Sequence, residues 1–140
     1  MKSRWLPGLL AIAVSVSAQA FQVKTRSENP AISEEALRAA VNQIAAEVGH
    51  RIPEDADIKV YVYTRALPSK IEGQSIYLHR VQLTKAFTGG PPYPYRGWLP
   101  LRSVERYGVD DPATIRLKLD EALRDFFTTL KNVDPDQGIE

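Results

Sequence analysis

His50 and His79 are the only histidines in this 140-residue sequence, and histidine is the side chain that ordinarily titrates near neutral pH. With no cysteine anywhere, an imidazole metal site would need Asp or Glu to complete it. Neither histidine falls in an H-x-x-x-H or similar spacing, so no metal site and no cofactor are expected. Nucleophilic catalysis asks for a serine with a histidine and an orienting acid. There is no G-x-S-x-G, and Ser33, Ser69, Ser75 and Ser103 have no elbow context. The carboxylate pairs Asp110-Asp111 and Asp120-Glu121 read as helix-start and helix-surface groups, not as a glycosidase pair. Gly89-Gly90 lacks the rest of a phosphate loop. What remains of the enzymatic alternative is a small envelope enzyme, such as a cell-wall hydrolase, working through His79 and a nearby acid.

Recognition chemistry is better represented. Residues 59–106 hold eight Lys or Arg (Lys59, Arg65, Lys70, Arg80, Lys85, Arg96, Arg102, Arg106) against Glu72 and Glu105, a local balance of +6. The flanking segments 21–58 and 107–140 come to −3 and −4. Five of the six tyrosines, Tyr61, Tyr63, Tyr77, Tyr93 and Tyr95, lie in the basic part. Cations interleaved with aromatics on an open sheet resemble, in chemistry, surfaces that stack rings beside anionic groups. The expected face is Lys59, Tyr61, Tyr63, Arg65, Tyr77 and Arg80, extended by Tyr93, Tyr95, Arg96 and Trp98. Tyrosine and lysine are equally at home on a merely solvated sheet face.

The last four of those residues sit in TGGPPYPYRGWLPL, residues 88–101. Its prolines push the preceding residues to extended geometry, and Gly89, Gly90 and Gly97 permit sharp reversals. The Gly89–Leu101 loop is therefore stiff in the middle, and Tyr, Trp and Arg are frequent binding anchors. The competing reading is that Trp98 and Leu99 close the core.

The elements that must position these residues are legible in outline. Ser33 before Glu34 and Glu35 is a helix N-cap, and Ile32 can staple against Leu37. Leu37, Ala40, Val41, Ile44, Ala45 and Val48 recur at helical spacing until Gly49. Residues 57–65 alternate as a strand, with Ile58, Val60 and Val62 on one side. A turn with Pro68 and Gly73 leads to a second strand, Ser75 to Phe87, antiparallel to the first. Ile76 and Leu78 are out of phase with Val81 and Leu83, which predicts a β-bulge near His79 and Arg80. Asp111 and Pro112 open a second helix with the stripe Ile115, Leu119, Ala122, Phe126 and Leu130, widened by Leu123 and Phe127. Phe21 to Thr25 and Trp98 to Val104 are expected as short strands.

Residues 1–20 carry Lys2 and Arg4, an apolar run from Leu9 to Val16 and a closing Ala18-Gln19-Ala20. That is the order of a secretory signal peptide, and the run is short for a spanning helix. Its removal takes the net charge from +1 to −1. A chain without cysteine has neither a disulfide framework nor a residue for a lipid anchor, so the expected location is periplasmic or secreted.

The sequence thus predicts a signal peptide (1–20), one α+β domain (21–133) and a polar tail (134–140). In that domain a small antiparallel sheet of two to four strands carries two amphipathic helices on one face, in the order (β)-α-β-β-(β)-α. The expected function is non-catalytic binding of an anionic envelope component or a partner protein. Nucleic acid is the least expected anion, and a homo-oligomer burying the same face is the structural alternative.

Overall fold

A computed structural model describes residues 21–92 and 95–131. The segment expected to be a signal peptide (1–20), Tyr93 and the expected tail (134–140) lie outside the described residues. Six elements follow one another: β1 (Gln22–Glu28), α1 (Glu34–Val48), β2 (Ile58–Pro68), β3 (Ser75–Thr88), β4 (Arg96–Asp110) and α2 (Pro112–Leu130). This is an α+β fold of the expected order.

Both helices begin where their caps place them. Ser33 Oγ accepts from the Ala36 amide at 3.0 Å, and Asp111 Oδ1 accepts from the Thr114 amide at 2.8 Å. Each satisfies one of the free N–H groups of a first turn. Gly49 ends α1 with φ +79° and ψ 160°, a backbone state open essentially to glycine alone.

The sheet order is β1-β2-β3-β4. β2, β3 and β4 are antiparallel neighbours, but β1 runs parallel to β2. The sheet is therefore mixed, because α1 carries the chain back to the start of the sheet before β2 begins. The predicted bulge is also elsewhere. β2 and β3 pair without interruption from Ile58↔Lys85 to Pro68↔Ser75, passing through Thr64↔His79. The one register shift is between Leu83 and Thr84 against β4, where Leu101 is the extra residue. Consequently Tyr77, His79, Val81 and Leu83 stay in one phase and are all buried. Ile76 and Leu78 take the opposite, open side.

β4 is the longest strand, 15 residues against the short edge expected at 98–104. Its ladder to β3 runs from Ser75↔Asp110 to Thr88↔Arg96. Most of its side chains are exposed, so backbone pairing defines this strand more than burial does.

All of the predicted helix stripe residues except Val48 are buried. All of these but Ile115 meet Ile58, Val60, Val62, Val81 and Leu83 from the same face of the sheet, and Ile115 packs with Ala66 and Tyr77 in a second, smaller cluster. Phe126 and Phe127 pack edge to face at 5.2 Å, and burying one such side chain contributes about 1.5–3 kcal/mol. The core runs from Phe21 to Leu130 and so lies wholly within the described residues.

Candidate binding face

Among the described residues, the second face of the sheet has no helix over it. Along β2 the burial alternates, with Ile58, Val60, Val62, Thr64 and Ala66 inward and Lys59, Tyr61, Tyr63 and Arg65 outward. Register then brings the outward residues of four strands together. Gln22, Lys24, Arg26 and Glu28 pair with Lys59, Tyr61, Tyr63 and Arg65, which in turn face Thr84, Gln82, Arg80 and Leu78. Arg80 faces Glu105 across β4.

Four of the expected residues, Tyr61, Tyr63, Arg65 and Arg80, line one shallow depression of about 350 Å³ with Arg26 and Glu28. Its three arginines share one carboxylate of the depression, Glu28, and a second beside it, Glu105. Glu28 accepts from the Tyr63 hydroxyl at 2.7 Å and from Arg26 at 2.6 Å, and lies 3.7 Å from Arg65. The Tyr63 hydrogen bond, then the two guanidinium groups, hold the Glu28 carboxyl below its ordinary range. Arg80 pairs with Glu105 at 2.7 Å.

The uncompensated charge collects at the neighbouring end. Lys59 Nζ sits 3.7 Å from the centre of the Trp98 ring, and the Arg96 guanidinium lies 5.9 Å from it. A cation over an indole face is attracted by the ring quadrupole. Lys24 stands diagonally across the parallel pair on the same face. Partial burial, then repulsion from Lys24 and Arg96, lowers the Lys59 pKa. Arg96 has one carboxylate, Asp57 at 3.3 Å, and both groups are more than half exposed, so that pair contributes little.

Two expected residues leave the face. Tyr77 is buried on the helix side, where its hydroxyl lies across Gly108, and burial is the main cause of its raised pKa. Tyr95 belongs to the β3–β4 tip, edge-on to Phe87 at 5.8 Å. Lys24 and Arg26 were not anticipated. The signal was present in QVKTRSE, whose alternation followed by a helix and a strand describes a parallel β-α-β unit.

His79 is not a surface base. It is fully buried, its Nε2 is 2.8 Å from the Ile115 carbonyl oxygen and its Nδ1 is 2.9 Å from Thr64 Oγ1. A carbonyl only accepts, so Nε2 carries the proton and Nδ1 accepts from the threonine hydroxyl. That hydroxyl accepts in turn from Asn29 Nδ2 at 3.3 Å. The chain Asn29→Thr64→His79→Ile115 is fully used. Burial lowers the His79 pKa, and the ring has no nitrogen left for a substrate. The hydrolase alternative loses its base.

Above this chain lies an apolar groove of about 430 Å³ between the Pro30 turn, the β2–β3 hairpin and Ile115. Among the described residues there is no group of three or more His, Asp or Glu able to hold a metal. No described helix is long and apolar enough to cross a membrane.

No family model matches the chain, and no curated protein matches it. Among solved structures the chain is similar to a "putative lipoprotein" from Caulobacter crescentus CB15, with 15% identity, 86% of each chain covered and a TM-score of 0.22. A likeness of that degree carries no argument about this protein.

Proposed function

We propose that this chain is an exported, non-catalytic binding domain of the cell envelope whose open sheet face takes an anionic component. The observation that supports it most strongly is the Lys24–Lys59–Arg96 cluster around Trp98. Like charges crowd there on the open side of the sheet, and an anion relieves that repulsion. Tyr61 beside Lys24 and Lys59 offers a further ring edge, as surfaces that hold charged polymers do. Export rests on the order of residues 1–20.

The test is affinity for a soluble polyanion, inorganic polyphosphate, as a function of salt. Residues 21–140 are the natural probe, because they contain the entire described core. Each cation that contacts a phosphate contributes about one unit to the slope of log affinity against log salt. Lys24→Ala with Lys59→Ala should flatten the slope by about two. An affinity indifferent to salt, or an unchanged slope in the double variant, contradicts the proposal.

A further inference from the structure

The β3–β4 tip has a surface that a ligand lying on the sheet face cannot cover. β2 pairs with β3 only as far as Ile58↔Lys85, whereas β3 and β4 remain paired to Thr88↔Arg96. The hairpin therefore projects beyond its neighbour, and it is closed by the Gly89 amide on the Tyr95 carbonyl at 2.7 Å. Four large apolar or aromatic side chains stand at this end: Phe87, Tyr95, Trp98 and Leu99 are 40, 60, 36 and 53% exposed. None of them belongs to the core.

Their distribution over the ribbon decides what they fit. Ala86 pairs with Trp98 and Phe87 with Gly97, and successive residues alternate sides. Trp98 lies with Lys59 on the open face. Phe87 and Leu99 point to the other side, and Tyr95 packs on Phe87 there. Gly97 lets the Phe87 ring lie against β4, since a Cβ at that position would come within 2.8 Å of it. The tip thus carries apolar side chains on both sides, with Lys24, Lys59 and Lys85 behind it and Arg96 in its outermost ladder pair, opposite Thr88.

We infer that this tip enters the surface of an anionic phospholipid bilayer. Trp and Tyr favour the headgroup level of a bilayer, and cations just behind them meet anionic headgroups. Insertion end-on wets neither side of the ribbon, which a soluble polymer bound to one face does not achieve. This inference rests on the proposed open-face reading and names the lipid surface as its partner.

Residues 21–140, in which Trp98 is the one tryptophan, would be floated with vesicles of phosphatidylcholine alone and of equal parts phosphatidylcholine and phosphatidylglycerol. Polyphosphate serves as the soluble arm. The expected result is binding to the anionic vesicles only, with a blue shift of Trp98 emission. Phe87→Ser with Leu99→Ser should weaken vesicle binding about tenfold or more, the loss expected from leaving buried apolar side chains in water. The same variant should bind polyphosphate as before, which also shows that it is folded. Removing Lys24, Lys59 or Arg96 should weaken vesicle binding about fivefold each.

Polyphosphate binding without vesicle binding overturns the bilayer inference and leaves the open-face reading standing. Binding to neither overturns both. Vesicle binding unaffected by the Phe87/Leu99 change, or equal on neutral vesicles, also overturns the inference.

Discussion

Thr64→Val tests the interior of the fold with almost no change of shape. The substitution keeps the side-chain volume and removes one hydroxyl that both donates to His79 Nδ1 and accepts from Asn29 Nδ2. Two groups then lose their partner, the fully buried His79 and the nearly buried Asn29 at the groove. An orphaned buried polar group costs about 1–3 kcal/mol, so the expected loss is about 2–5 kcal/mol. Urea unfolding measures it as a fall in midpoint at unchanged slope. Thr64→Ser keeps the hydroxyl and should lose only about 1 kcal/mol for the methyl group. A Thr64→Val cost below about 0.5 kcal/mol, or one equal to that of Thr64→Ser, would refute the directional chain of hydrogen bonds.

The same chain sets a pH dependence. Burial depresses the pKa of His79 and, more weakly placed, of His50. Below about 6.5 the unfolded chain takes up these protons before the native protein does, so stability falls as pH drops from there toward the native values. Thermal unfolding should be flat between about pH 7 and 9 and decline below that by up to about 1.4 kcal/mol per pH unit for His79. Gly49→Ala should cost about 1–3 kcal/mol, because alanine resists φ +79° with ψ 160°; a neutral result would mean that the cap adopts another conformation. Asn42→Ala should raise the melting temperature, since Asn42 Oδ1 is buried without a partner and alanine favours the helix. Glu28→Gln frees Arg26 and Arg65 and should tighten polyphosphate binding about fivefold at low salt, the worth of one unit charge at contact in water.

How far the sequence reaches can be seen strand by strand. Caps and helix stripes are local, so Ser33, Gly49, Asp111 and the apolar stripes were placed correctly from spacing alone. β2 was legible because burial on one side wrote a clean alternation into it. β3 was harder, because its inward row runs Tyr77, His79, Val81, Leu83 and its outward row begins Ile76, Leu78. Taking the aliphatic residues as the guide inverted the first half and asked for a bulge. What turns His79 inward is Thr64 and the Ile115 carbonyl, distant in sequence and invisible to any pattern. β4 from Arg102 to Asp110 buries too little to show a period, and the ladder to β3 is what defines it.

The candidate face was half legible for the same reason. Lys59, Tyr61, Tyr63 and Arg65 alternate outward along one strand, and Arg80 follows from antiparallel pairing. Lys24 and Arg26 enter by the parallel pairing of β1, which depends on the helix between. That pairing also moves the charge: Glu28 and Glu105 pair with the arginines of the part of the face that looked most basic, and Lys24 and Lys59, which have no carboxylate partner among the described residues, stand at the other end with Arg96 and its exposed partner Asp57. Trp98 and Leu99 do not close the core. Tyr95 and Trp98 therefore stand at the end of a projecting hairpin, outside the core.

The most direct measurement of the central claim is side-chain NMR on residues 21–140 titrated with polyphosphate. Binding at the open face predicts saturable shifts of the Trp98 indole N–H and of the Tyr61 and Tyr63 ring protons, with the rings of Phe126 and Phe127 unmoved. Shifts confined to side chains on the outer surfaces of α1 and α2, or none at all at low salt, would contradict it.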